Sequence, residues 1–261
     1  MATRAIWKGQ LKVDSTRIAV KLYSGVVDRT VRFHILEEET KSRVKQHMVN
    51  PSTGKEVPSK KIRKGYEVEP GTFVILTDEE LEEIDPPASR DIEISHFTSP
   101  EQINSQLYDR PYYLGPDGDE RAYFAFAEAL ENRNREGIAR WVMRKRPYSG
   151  ALRAEDGNLM LITLRHPNEV VLAEDLPAPG RRAVDKKELS IAKQLVALLD
   201  SEFTPAEFRD EYRKRVEEFI ESKAKGKALK LPTVKSKRAT TSLSSALLKS
   251  IETLKKGKKA A

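Results

Sequence analysis

Cysteine is absent from the 261 residues. That removes disulfides, thiolate metal ligands and thiol nucleophiles together, and a reducing cytoplasm is the expected setting. No apolar run approaches the roughly 18 residues needed to cross a bilayer, so no membrane partner is expected. Arg4 and Lys8 flank only Ala5, Ile6 and Trp7, which leaves no apolar core for a secretory leader. Histidine is scarce: His34, His47, His96 and His166 show no i,i+4 pairing and no HExxH pattern. No GxSxG nucleophile elbow occurs. Lys55 follows Gly54, but Val49 and Glu56 stand where a phosphate loop needs Gly and Ser or Thr. No catalytic residue, metal or cofactor is therefore expected.

Apolar residues make up 38% and charged residues 33% of the chain, a balance that leaves part of it exposed. The net charge is +7, and its distribution is uneven. Residues 222–261 hold twelve Lys/Arg and one carboxylate, Glu252, for a net +11; the remainder holds 35 basic and 39 acidic residues, for −4. Lys223, Lys225 and Lys227 open this block. Such an arm either seeks phosphates or serves as a solubility tail.

The first two-thirds read as β-rich. Ile18, Val20 and Leu22 alternate along residues 17–23. Residues 31–36, 73–76, 91–97 and 137–146 carry further strand patterns. Residues 152–154 and 159–164 flank Glu155-Asp156-Gly157-Asn158, where Asp-Gly suits a hairpin turn. Thr77 with Glu80, and Ser99 with Gln102, match the capping box that starts helices. Many short strands with turn signals point to a barrel or a sandwich.

Residues 41–70 differ. They are basic, rich in turn formers and poor in large apolar side chains, so they should project from the core as an extended hairpin or loop. After Leu176-Pro177-Ala178-Pro179-Gly180, helical periodicity begins. Asp185 and Glu188 form a capping box ahead of a stripe of Leu189, Ala192, Leu195, Val196 and Leu199. Thr204 and Glu207 form another, with Pro205 at the first helical position, ahead of Phe208, Tyr212, Val216, Phe219 and Ile220. These helices cover either their own barrel or a partner chain. A Lys-rich linker follows. Leu243, Leu247, Leu248, Ile251 and Leu254 then mark a short amphipathic helix, too short to be stable without a partner.

Two basic features bear on binding. Arg43, Lys45, Lys60, Lys61, Arg63 and Lys64, with Lys41, place cations on both flanks of the projecting loop. In residues 137–146 the strand period puts Ala139, Trp141 and Met143 on one face, and Arg140, Arg144 and Arg146 on the other with Val142. An arginine face can lie against a phosphate backbone, or be an exposed face with acidic neighbours. No helix-turn-helix, zinc finger or homeodomain pattern offers sequence readout.

A series of motifs runs through the chain: Arg4-Ala5-Ile6-Trp7-Lys8-Gly9, Val20-Lys21-Leu22-Tyr23-Ser24, Phe33-His34, Gly54-Lys55-Glu56-Val57 and Lys64-Gly65-Tyr66-Glu67. It continues through Leu76-Thr77-Asp78-Glu79-Glu80, Arg90-Asp91-Ile92-Glu93-Ile94, Pro111-Tyr112-Tyr113-Leu114 and Gly137-Ile138-Ala139-Arg140, and ends at Ala192-Lys193-Gln194-Leu195 and Asp210-Glu211-Tyr212-Arg213. In this order and spacing, over residues 4–223, the chain resembles bacterial Ku, the DNA-end-binding family of non-homologous end joining. The resemblance implies a mainly β fold with α: a Ku-type β-barrel over residues 1–180 whose bridge, about 41–70, encircles DNA. It also implies a helical arm over 181–223 for dimerisation and ligase contact, followed by a Lys-rich tail over 224–261. The implied function is non-enzymatic. A ring-shaped homodimer binds double-stranded DNA ends without regard to sequence and recruits the ATP-dependent DNA ligase D. The DNA-contacting set would be Arg43, Lys45, Lys60, Lys61, Arg63, Lys64, Arg140, Arg144, Lys223, Lys225 and Lys227. Many relatives carry Cys-x-x-Cys in the bridge where this chain has Asn50 and Thr53, so no metal or redox role follows for that pair. The alternative frame is a non-specific RNA- or DNA-binding barrel without end preference. A nuclease or nucleotidyl transferase is more distant, since no carboxylate or histidine constellation can be named.

Overall fold

The computed structural model describes residues 4–177 and 184–226. Two units are present: residues 1–29 with 34–176, and residues 30–33 with 177–261. Lys227 and the predicted helix at 243–254 lie outside the described residues.

The first unit is built on a closed barrel of seven strands. In chain order these are β1 (Trp7–Val13), β2 (Thr16–Ser24), β5 (Asp91–Thr98), β6 (Tyr108–Pro116), β7 (Glu136–Met143), β8 (Arg146–Glu155) and β9 (Asn158–Leu164); β3 (Lys64–Glu69) and β4 (Thr72–Leu76) form a separate two-stranded sheet. Around the barrel the order is β1-β2-β6-β9-β8-β7-β5. Neighbours pair antiparallel except where β5 closes against β1, a parallel pairing with Leu11 opposite Ile92 and Val13 opposite Ile94.

Alternation decides the interior. Ile18, Val20 and Leu22 point inward from β2, Ile92 and Ile94 from β5, Ala139, Trp141 and Met143 from β7, and Leu159 and Leu161 from β9. Helix α2 (Glu120–Arg133) completes the core with Tyr123, Ala127 and Leu130, which the helical repeat places on one face. Asp119 caps its start by accepting from the Ala122 amide, and left-handed Asn134 ends it. The Tyr123 hydroxyl donates to the Leu114 carbonyl and accepts from the Leu159 amide at 2.9 Å. One side chain thus joins β6 to β9 from within the core.

Three expected elements differ. Residues 31–36 alternate like a strand but make no ladder; only Leu36 bridges to Arg43. Alternation describes a half-buried surface, and a strand also needs a partner. Residues 137–146 are not continuous either. Arg144 and Lys145 both take left-handed backbone angles (φ 53° and 63°) in a two-residue turn closed by Met143 opposite Arg146. Arg140 and Arg144 therefore do not share a strand face. Without Gly or Asn this turn carries no sequence signal, unlike Asp156-Gly157, which forms the expected β8–β9 hairpin. Thr77 and Glu80 do form the capping box of α1 (Asp78–Glu83), whereas Ser99 heads only a 3-10 turn and makes no side-chain cap.

In the second unit, α3 (Lys186–Leu199) begins at Asp185, whose carboxylate accepts from the Lys187 and Glu188 amides. Its buried residue is Ile191, with Ala192, Leu195 and Leu198 half-buried; Leu189, Val196 and Leu199 of the expected stripe are exposed. Apolar residues occupy more than one side of this helix, so periodicity alone does not select the covered side. Thr204 also fails as a cap. Pro205–Glu207 makes a single 3-10 turn, the rings of Phe203 and Phe208 meet at 5.1 Å, and α4 (Glu211–Ala224) starts from Asp210.

One charge is buried in the barrel. Glu136 is 1% exposed; it pairs with Arg153 at 2.7 Å and accepts from the Tyr108 hydroxyl at 2.6 Å. The Arg153 guanidinium lies over the Tyr108 ring, 5.1 Å from its centre. Burial, and then the bond to Glu136, push the Tyr108 hydroxyl up to about 12.

Replacing Tyr123 by Phe should lower stability by about 1–3 kcal/mol, because it strands a buried carbonyl and a buried amide; chemical denaturation with unchanged slope reads this. Tyr108 predicts a pH effect. Its folded value is above the unfolded value of about 10, so its stabilising share is intact below that pH and lost as pH rises toward 12. Urea midpoints should fall across this window, and Tyr108→Phe should fall less than the parent chain. Parallel curves for the two proteins would contradict the assignment.

Candidate nucleic-acid interface

Between β2 and β5 the chain makes a long excursion from the barrel. Its middle, residues 41–70, contains no buried residue, and only Val57 is half-buried. Local hydrogen bonds hold it. A first hairpin is closed by the Val44 amide on the Ile35 carbonyl and turns through left-handed Lys41. A second is closed by the Val57 amide on the Met48 carbonyl. At its tip the Asn50 side chain accepts from the Ser52 amide, and Gly54 takes the positive φ that completes the turn. Asn50 and Thr53 thus build an ordinary hydrogen-bonded turn, flanked by His47 and Glu56, 2.6 Å apart. The 3-10 turn Ser59–Lys61 leads into the β3–β4 hairpin, which reverses at Gly71. Capped α1 follows, and the chain re-enters the barrel at Asp91.

The cations of the two regions differ in how often they are paired. On the barrel several are engaged. Lys8 and Lys21 both reach Asp117, at 3.0 and 2.6 Å, and their hydrogen bonds hold that carboxyl below the usual range. Lys12 lies 2.8 Å from Glu93, and Arg165 pairs with Asp109. Lys145 contacts Glu82 at 2.9 Å and Asp85 at 3.2 Å, and these bonds raise its own value. The excursion is different. Residues 41–70 hold eight Lys/Arg against three carboxylates. Among the described residues, Arg43, Lys45, Lys60 and Lys61 meet no carboxylate within 4 Å, and all are exposed. Lys64 has Asp78 only at 3.8 Å. The Arg63 guanidinium donates to the Lys60 and Ile62 carbonyls at 2.9 Å, which pins its side chain to the turn.

The remaining expected residues are dispersed. Arg140 is exposed on β7, opposite Glu93 of β5, in a shallow depression that also includes Asp91. Acidic neighbours therefore offset its charge. Arg144 sits in the β7–β8 turn, and Lys223 and Lys225 lie at the end of α4, where Lys225 pairs with Glu221. Sequence reading missed Lys145, which ties α1 to the β7–β8 turn across 60 positions of chain and more. Only the turn chemistry of Arg144-Lys145 could have hinted at it, and those residue types carry none.

A closed β-barrel with a long exposed excursion rich in uncompensated cations is the framework of a protein that binds a polyanion on its surface. The family comparison is specific. The chain belongs to the Ku family of non-homologous end joining proteins: residues 12–191 match the model of the Ku70/Ku80 beta-barrel domain. The non-homologous end joining protein Ku 2 of Geotalea uraniireducens is 37% identical, over 88% of this chain and 90% of that protein. The Ku protein of Archaeoglobus fulgidus is 35% identical over 87% and 90%, and that of Coxiella burnetii is 33% identical over 99% and 98%.

Proposed function

We propose that this chain binds the ends of double-stranded DNA as a ring-shaped homodimer, without sequence preference, and presents them to an ATP-dependent ligase of the ligase D kind. The observation that carries the DNA reading is the set of uncompensated cations, Arg43, Lys45, Lys60 and Lys61, on an excursion of a Ku-family barrel. A lysine already paired with a carboxylate gives up that partner to meet a phosphate. A free one releases only counterions from the duplex, which is favourable at low salt. Such contacts fix position along the backbone and carry no base information. The reading assigns no bond-making step to this chain. Arg63, Lys64, Arg140 and Arg144 join the set as secondary contacts, and Lys223, Lys225 and Lys227 begin an arm that adds affinity without adding end selectivity.

The second copy is supported by what the excursion exposes. Ile35, Val44, Met48, Val49, Tyr66, Phe73 and Ile75 are each 46–70% exposed. The β3–β4 hairpin stands as a two-stranded sheet, which is marginal alone in water. Exposed apolar side chains in this number favour a covering partner, and pairing with a copy of itself would close the ring. In this proposal the helical arm is the part that meets the ligase.

Light scattering should find a dimer down to micromolar concentration. A stable, folded monomer there would remove the ring.

The end-binding prediction is topological. On a linear duplex the protein should load when ends are free and fail to load when both are blocked by bulky caps. Capping after loading should trap it against dilution and salt. Neutralising Lys60 and Lys61 to Gln should weaken binding about equally for all end sequences and reduce the salt slope by close to one unit per lost contact. Equal loading on capped DNA would leave a barrel that binds nucleic acid without regard to ends.

A further inference from the structure

The excursion returns to the barrel through α1 and residues 84–90, and this return limb is held at one side chain. α1 buries none of its residues, and from Asp78 to Pro87 only Leu81, Asp85 and Pro86 are half-buried. Apolar contact therefore secures the limb weakly. Lys145, in the β7–β8 turn, meets Glu82 at 2.9 Å and Asp85 at 3.2 Å. Among the described residues, these are the ion pairs that join residues 34–89 to the barrel.

The turn gives up backbone comfort to present this lysine. Arg144 and Lys145 hold φ at 53° and 63°, a region that side chains other than Asn and Asp seldom enter. Stability of the turn alone would favour Asn-Gly there. Backbone outliers of this kind mark functional constraints, and the second of the pair carries the ammonium that reaches both carboxylates. We propose that Lys145 is the positioning residue of the candidate DNA interface. It fixes α1, and through α1 it sets Lys60, Lys61, Arg63 and Lys64 relative to the barrel, without meeting the duplex itself. That role rests on the DNA-binding reading; the anchoring contact does not.

Each step from Lys145 to those cations is stiff. Between α1 and β5, Pro86 and Pro87 fix two φ angles. On the other side β4 runs into α1 without a linker. Thr77 follows Leu76 directly and caps the helix: its hydroxyl accepts from the Glu80 amide at 3.2 Å, and its amide donates to the Glu80 carboxylate at 2.8 Å. Lys64 of β3 stands opposite Leu76 and lies 3.8 Å from Asp78, the first residue of α1. The Arg63 guanidinium donates to the Lys60 carbonyl at 2.9 Å, which ties the Ser59–Lys61 turn to the start of β3. A displacement of α1 is thus carried to the cation cluster.

Charge separates Lys145 from its neighbour Arg144. Moving the Lys145 ammonium to a phosphate would leave two carboxylates facing each other without a cation, and Asp85, at 32% exposure, is partly shielded from water. Arg144 meets no carboxylate within 4 Å among the described residues and is free to engage a phosphate. Adjacent cations of one turn thus divide into one that binds and one that places.

A double-mutant cycle on the full chain tests this, read as affinity for a free-ended linear duplex at about 50 mM salt, where an exposed ion pair is little screened. Lys145→Gly removes the ammonium and relaxes the turn, because Gly takes positive φ freely; Lys145→Met removes the ammonium alone. Both should weaken binding by about threefold to tenfold and leave the salt slope within about half a unit, since no phosphate contact is lost. With Lys60→Gln and Lys61→Gln already in place, either should weaken it by less than about twofold. Lys145→Arg should bind like the parent. An equal loss in both backgrounds, with a slope shallower by about one unit, would make Lys145 a direct phosphate contact. No loss in the parent background, or Gly and Met variants that differ, would likewise overturn the assignment. Amide exchange of residues 81–85 without DNA reads the anchor by itself: it should quicken severalfold in both variants, and unchanged exchange would sink the anchor. A parent chain that ignores DNA, while α1 loosens on substitution, would instead remove the DNA reading and leave the anchor.

Discussion

The structure depends on the parallel pairing that closes the barrel. Every other junction joins antiparallel strands, and three of them, β1–β2, β7–β8 and β8–β9, are made by two-residue turns. A parallel neighbour cannot be reached that way, and here β2 carries the chain back to the end of β1 from which β5 starts. The connection from β2 to β5 then crosses the end of β1, and it is in this connection that the hairpins, the β3–β4 sheet and α1 are inserted. The closure seals Leu11 against Ile92 in the core, while the basic segment stands in the connection outside it.

Charge is arranged along the same division. On the barrel surface neighbouring strands face each other across fixed spacings, and several cations there find carboxylates: Lys12 with Glu93, and Lys8 and Lys21 with Asp117. Exposed pairs of this kind add little stability, but they remove positive potential from the barrel wall. On the excursion each hairpin is folded by its own backbone bonds and has few strand neighbours, so its lysines go unanswered. At the start of β7 the reverse holds. Glu136 tolerates burial because Arg153 and Tyr108 both meet it.

What local patterns express was legible. Alternation located β2, β4, β5 and β9, Asp-Gly located the β8–β9 turn, and the Thr77–Glu80 box located α1. Patterns that depend on distant residues were not. The alternating residues 31–36 lack a partner strand. β1 and β6, broken by Gly9 and Pro111, are strands because their neighbours pair with them. Tyr123, Ala127 and Leu130 do follow helical spacing, yet what makes Tyr123 structural is the hydroxyl contact between Leu114 and Leu159.

The sequence by itself determined the lack of thiol chemistry, the basic character of residues 41–70 and of the tail, and, through ordered motifs, the Ku family. Those are properties of residue type and order, which no folding changes. Only the tertiary structure decided which cations are free. Lys145 and Lys60 look alike in sequence; one is bound to Glu82 and Asp85, more than 59 positions away, and the other meets no carboxylate. The physical reason is range. A salt bridge forms within a few ångströms, and the distance between two residues along the chain says nothing of their distance in space until strand register sets it.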